Sequence, residues 1–137
     1  MLQRDVSVLL LKRGESILLQ KRSKTAKRFP NTWGLFGGGI EPGELPVAAL
    51  ERELLEELEL PLVRPKRIWG HPYVLPEMDE TGTVHVFLEI YGGSPLALHE
   101  GQDMKWASPV EALALELHPI YRRIFEEIVS GRISVVL

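Results

Sequence analysis

The stretch from Pro46 to Leu58 constrains this chain most. Val47, Leu50, Leu54 and Leu58 recur at i, i+3, i+7 and i+11, which is one apolar stripe at helical spacing. Good helix formers fill the positions between, and Pro46 suits a first helical residue, so the spacing predicts a helix whose stripe faces a core. Leu45 stands where a Ser, Thr, Asp or Asn cap is usual. Strand-like runs lie on both sides. Val6 to Lys12 and Ile17 to Lys21 flank Arg13-Gly14-Glu15-Ser16, a hairpin pattern, and Trp33 to Phe36 runs into Gly37-Gly38-Gly39. Further strands are predicted over Arg67 to Leu75 and Thr83 to Tyr91, around the turn-rich Pro76 to Gly82, and a short one over Lys105 to Ala107. A second helix is predicted from about Pro119 to Ser130, with Ile120, Ile124 and Ile128 on one face. Strands with helices between and after them describe an α/β or α+β layered domain, and 137 residues suffice for one such domain over 1–137.

The formal charge of −3 provides no bulk basic field for a nucleic-acid polymer. The absence of cysteine excludes disulfides, thiolate metal sites and a thiol nucleophile, and suits the cytoplasm. Val8 to Leu11 is cut off by Lys12, Arg13 and Glu15, too short for a signal peptide or a membrane span. Arg22 to Thr32 is polar and basic and reads as an exposed loop.

The striped helix also carries Glu53, Glu56 and Glu57. At helical spacing they fall within about a 100° arc, expected on the exposed side away from Leu54. Carboxylates that close raise one another's pKa unless a cation compensates, and oxygen-only ligation is what Mg²⁺ or Mn²⁺ prefers. Arg52, four residues before Glu56, is placed to brace the cluster. On these residues alone, a solvated acidic face laced by i,i+4 pairs remains the alternative.

The residues before the helix decide between the two. Gly38, five residues, Glu44, seven residues, then Arg52-Glu53-Leu54-Leu55-Glu56-Glu57-Leu58-Glu59-Leu60 resembles the Nudix box, G-x5-E-x7-R-E-U-x-E-E-x-G-U with U apolar, over 38–60. Eight of its nine specified positions match; Glu59 stands where the family has a helix-closing Gly in the left-handed conformation. Leu19-Gln20-Lys21-Arg22, Trp33 to Phe36, and His99-Glu100-Gly101-Gln102 with Trp106 are similar to MutT-type members. The resemblance implies an α/β/α sandwich on a mixed sheet, acting as a monomer or homodimer on a small nucleotide, away from membranes and nucleic-acid polymers. It implies Mg²⁺ (or Mn²⁺) held by Glu53, Glu56 and Glu57, with the Gly38 carbonyl and Glu100 as further ligands. Glu44 would hold Arg52, and the base that activates water would be Glu53, Glu56 or Glu100.

The reaction implied is hydrolysis of a phosphoanhydride, which asks a protein chiefly to place a water in line and neutralise phosphoryl charge. Arg22 and Arg28 are candidates for phosphate, and Phe36, His118 and Tyr121 for the base, each weighed against core packing or a solvated loop. Ile120 and Tyr121 stand nearest to where MutT-type enzymes carry the Asn or paired Asp used on oxidised guanine, which argues against that base. A nucleoside triphosphate cut to monophosphate and pyrophosphate is the first expectation. A nucleoside diphosphate sugar, suggested by the position of Pro76, is the second, and a ligand-binding domain without catalysis the third.

Overall fold

A computed structural model describes residues 1–99 and 101–136. Eight strands form one mixed sheet. They are β1 (Leu2–Gln3), β2 (Val6–Arg13), β3 (Ser16–Lys21), β4 (Trp33–Gly34), β5 (Phe36–Gly39), β6 (Lys66–Leu75), β7 (Glu80–Ile90) and β8 (Asp103–Ala107). The parallel pair β2–β7 is the spine, running from Val6 opposite Val84 to Lys12 opposite Ile90. Strands β3 and β5 pair antiparallel to β2, β6 pairs antiparallel to β7, and β4 and β8 pair antiparallel to β3.

Both faces of the spine are covered, which is why β2 runs apolar without a break from Val8 to Leu11 instead of alternating. Val8 and Leu10 point into a core with Val84, Val86, Leu88, Ile120, Ile124 and Phe125. Leu9 and Leu11 point the other way, into a core with Leu18, Phe36, Leu50, Leu54, Leu58 and Phe87. The second core is closed by α1 (Pro46–Leu58), and the first by α2 (Pro109–Leu113) and α3 (Pro119–Val129). The result is the expected α/β/α sandwich.

Helix α1 has the bounds its stripe predicts, with Leu50, Leu54 and Leu58 fully buried, Val47 half-buried and Leu45 giving no side-chain cap. Glu59 closes it at φ 54°, ψ 32°, the left-handed conformation that the motif's Gly would adopt; its N–H bonds to the Leu55 carbonyl and the Leu60 N–H to the Leu54 carbonyl. An L residue is disfavoured there, and the Glu59 carboxylate gains a partner in the His99 ring at 2.5 Å. Leu54→Ala is expected to cost about 2–5 kcal/mol of stability, read by denaturant unfolding, because the side chain is fully buried under the sheet. An unchanged unfolding midpoint would mean the helix faces are assigned wrongly.

Three elements lie outside the sequence expectations. The two-residue β1 adds parallel to β7, a single 3-10 turn spans Pro76–Met78, and α2 opens with a reciprocal capping box between Ser108 and Glu111. No helix among the described residues is long and apolar enough to cross a membrane.

Candidate active site

The box places its loop and helix around the glycine strand β5. Gly37 sits at φ 144° against β2, where an added Cβ would stand 2.1 Å from the Ser7 carbonyl oxygen, so only glycine fits. A Cβ on Gly38 would stand 2.5 Å from Glu53 Cδ. Its absence is the space in which the Glu53 carboxylate lies against the strand.

Arg52 organises the carboxylates as expected, with one difference of partner. Its Nε and Nη2 both donate to Glu44 at 2.9 Å, Nη1 donates to Glu53 Oε1 at 2.8 Å, and Nη2 also donates to the Gly39 carbonyl at 3.1 Å. Glu56, the i+4 residue, is only within 3.9 Å. The fork-to-fork geometry is the strong form of this pair and ties the loop to the helix. The Arg52 hydrogen bonds hold the Glu44 carboxyl down at about 2. Glu44 is thus a brace for Arg52.

Glu57 corrects the expectation of an exposed face. It is 4% exposed, and its Oε1 accepts the Gly37 N–H at 3.0 Å while Gln20 Nε2 donates to Oε2 at 3.5 Å. Glu53 has 18% and Glu56 59% of its side chain exposed, so the three acids span the range from buried to open. Among the described residues, no three His, Asp or Glu side chains are gathered into a ready metal set. The donors nevertheless suit a hard divalent cation: they are oxygen-only, and the Gly38 cradle leaves room for one of them. Glu100, the further expected ligand or base, lies outside the described residues. Its neighbours flank the same place: His99 N–H donates to the Glu57 carbonyl at 3.0 Å, and Gly101 lines a cleft of about 310 Å³ with Gln20, Arg22 and Glu57.

Arg22 joins that cleft to a smaller pocket, which it lines with Arg4, Arg28, Gly37, Gly38, His118 and Tyr121. Arg28 does not stand free in its loop as the basic run suggests. Its guanidinium makes a two-pronged ion pair with Glu80, Nη2 donating to Oε2 at 2.9 Å and Nη1 to Oε1. Glu80 is fully buried, and the Tyr73 hydroxyl reaches it at 2.7 Å. Burial pushes the Glu80 carboxyl up, but Arg28 and Tyr73 outweigh it and hold it below its ordinary value. Sequence reasoning passed over Glu80, which sits in the turn-rich stretch and pairs across 52 residues.

Phe36 is also corrected. It is 2% exposed and packs in the core under α1, so it offers no surface to a base. Strand pairing with Leu9 turns its ring to that side. His118 and Tyr121 do line the pocket, their rings 4.8 Å apart. His118 caps α3, its Nδ1 accepting the Ile120 N–H at 3.2 Å. Burial, then the Arg22 and Arg28 charges, push its imidazole from 6.5 down to about 3. The unfolded chain therefore binds this proton below 6.5 while the folded chain refuses it until about 3, so His118 costs stability as pH falls through that window. His118→Asn keeps an acceptor for the cap but cannot titrate. Its stability loss between about pH 7 and about pH 4 should be smaller than that of the unaltered chain by urea unfolding. Parallel pH profiles would contradict the assignment.

A sequence model of the NUDIX domain matches residues 1–128. The nucleoside triphosphatase NudI of Enterobacter sp. (strain 638) is 39% identical over 69 residues, 47% of this chain and 49% of that protein. NudI of Escherichia coli O9:H4 (strain HS) is 43% identical over 58 residues, 42% of this chain and 41% of its own length. The chain spans about half the length of the curated relatives it matches. Among solved structures, the E. coli ORF135 protein superposes with a TM-score of 0.80 at 28% identity, covering 96% of this chain and 92% of that one. The MutT NUDIX hydrolase from Burkholderia pseudomallei gives 0.81 at 24% identity, over 93% and 99%. With the box residues drawn around Gly38 by Arg52, and the sandwich shared along almost its whole length, the chain belongs to the Nudix family and has the MutT-like fold.

Proposed function

We propose that this domain hydrolyses a nucleoside triphosphate to the monophosphate and pyrophosphate, with Mg²⁺ or Mn²⁺ as cofactor. The observation that carries the reading is a cleft walled by Glu57, on the helix whose Glu53 is braced by Arg52, that shares Arg22 with an arginine-lined pocket. A nucleotide brings phosphates at one end and a base at the other, and this arrangement offers acids for a metal that would meet the phosphates and, beside them, a donor-lined pocket. The relatives named nucleoside triphosphatase support the choice of substrate.

Nudix hydrolases generally use divalent metal ions. Here Glu53, Glu56 and Glu57, the Gly38 carbonyl and Glu100 are the groups assigned to hold one. Bound there, the ion supplies charge neutralisation for the phosphoryl oxygens and acidifies water. The chain's own residues do the rest. Arg52 fixes the Glu53 carboxylate, the Gly37 N–H fixes Glu57, and Arg22 stands between the cleft and the pocket, where it meets the substrate. Glu53, Glu56 or Glu100 takes the proton of the attacking water.

Arg52→Ala is expected to reduce kcat by roughly 10–100-fold while leaving the apparent substrate Kd within a few-fold, because the side chain positions carboxylates instead of touching phosphate. A large rise in Kd with kcat preserved would assign the guanidinium to the substrate. The reading as a whole is tested by assaying nucleoside triphosphates beside nucleoside diphosphate sugars with Mg²⁺. Pyrophosphate from the triphosphates is the expected product. Turnover confined to the sugars, releasing two monophosphates, would overturn the substrate assignment.

A further inference from the structure

We propose that the pocket bounded by Arg4, Arg22, Arg28, His118 and Tyr121 selects the base by an exocyclic keto oxygen, favouring 4-oxopyrimidine and 6-oxopurine nucleotides over their amino counterparts. The inference rests on the hydrolytic reading above and names the substrate class within it.

The pocket is about 80 Å³ and its lining is lopsided in hydrogen-bonding sense. Among the described residues its charged side chains are Arg4, Arg22 and Arg28, and no carboxylate or amide side chain lines it. Guanidinium groups only donate. Arg22 uses Nε on the Arg28 carbonyl at 2.7 Å, which pins the guanidinium at the wall between this pocket and the neighbouring cleft. Arg28 is held by Glu80 on two prongs, and the Tyr73 hydroxyl occupies Glu80 as well, so that buried carboxylate is already taken up.

His118 adds a donor where its ring could have offered an acceptor. Its Nδ1 accepts the Ile120 N–H, so in the neutral ring the proton sits on Nε2. The ring is 4% exposed and wedged between Phe29, at 4.2 Å, and Tyr121, at 4.8 Å between centroids, so it cannot turn over to present the other nitrogen. Of the polar side chains in the lining, among the described residues, only the Tyr121 hydroxyl can accept as well as donate.

A base edge that meets these side chains must bring acceptors. Uracil, thymine and 6-oxopurines present a keto oxygen at the position where cytosine and adenine present an N–H₂ donor. An amino group there sets N–H against N–H and strips water from donors that then go unpaired, the situation in which sites built for one hydrogen-bonding sense discriminate most strongly.

The test compares kcat/KM for dUTP against dCTP and for dITP against dATP, in Mg²⁺, by pyrophosphate release. The two pairs separate the pyrimidine and purine sources of the same oxygen. The keto member should lead by at least about tenfold in every pair that is hydrolysed. Arg22→Gln supplies an amide that can turn either its oxygen or its N–H₂ inward. It should shrink that ratio toward one, chiefly by raising KM for the keto member, with the melting temperature held. Equal or inverted ratios in the unaltered protein overturn the inference while leaving the hydrolytic reading intact. A ratio undiminished in a folded Arg22→Gln variant overturns its assignment to this pocket. Absence of pyrophosphate from all four nucleotides overturns both.

Discussion

Glu57→Gln is expected to lower turnover of a nucleoside triphosphate at saturating Mg²⁺ by at least about a hundredfold, or about 2.7 kcal/mol of transition-state stabilisation. The substitution keeps shape and removes charge. Glu57 is 4% exposed at the junction of α1 and β5, where the Gly37 N–H needs an acceptor, and the amide oxygen of Gln can supply one. What the amide cannot supply is a carboxylate for a divalent cation. Its N–H₂ also comes to lie near Gln20 Nε2, which now donates to Glu57 Oε2. A small loss of stability is therefore expected beside the large loss of rate, and the two are separated by measuring kcat and the melting temperature on the same sample. A folded variant with near-normal kcat would remove Glu57 from the proposed metal set.

Glu80→Ala should be the most damaging single change outside the apolar cores, costing about 3 kcal/mol and lowering the melting temperature by roughly 10 °C. Glu80 is fully buried, and its removal leaves the Arg28 guanidinium, 22% exposed, without its counter-charge and the Tyr73 hydroxyl without one of its two acceptors. Because the folded state holds the Glu80 carboxyl below its ordinary 4.5, its contribution is present above that value and fades as pH falls below it. The difference in stability between the unaltered chain and Glu80→Ala should therefore narrow in acid. Loss of the pair also frees the 22–32 loop, whose Arg28 carbonyl anchors Arg22, so substrate affinity should fall together with stability. Identical denaturation midpoints at neutral pH would show that the pair holds nothing together.

What was legible in the sequence follows from the range of the interactions involved. Helix α1 and the spine strands were readable because their periodicity is local and long enough to register. The brace between Glu44 and Arg52 followed from the motif, which encodes a loop folding back on a helix over a fixed spacing. Helix α2 escaped because five residues carry no period, although Ser108-Pro109-Val110-Glu111 spells its capping box. The burial of Glu57 is written in the helix spacing. It lies three residues after Leu54 and seven after Leu50, about 60° and about 20° from them around the helix, and so on the stripe's flank. The Arg28–Glu80 pair had no local signal, since its partners meet only when β7 is laid beside β2 and the loop folds over the sheet. Phe36 is read correctly only once its register against Leu9 fixes which face it takes.

The account is tested most directly by following a nucleoside triphosphate by ³¹P NMR with the protein, in Mg²⁺ and again after chelation. The expected result is conversion to nucleoside monophosphate and pyrophosphate in Mg²⁺, stopped by the chelator and restored by adding metal back. Release of orthophosphate and a nucleoside diphosphate, or turnover that survives chelation, would contradict the proposed chemistry of the Glu53–Glu57 cleft.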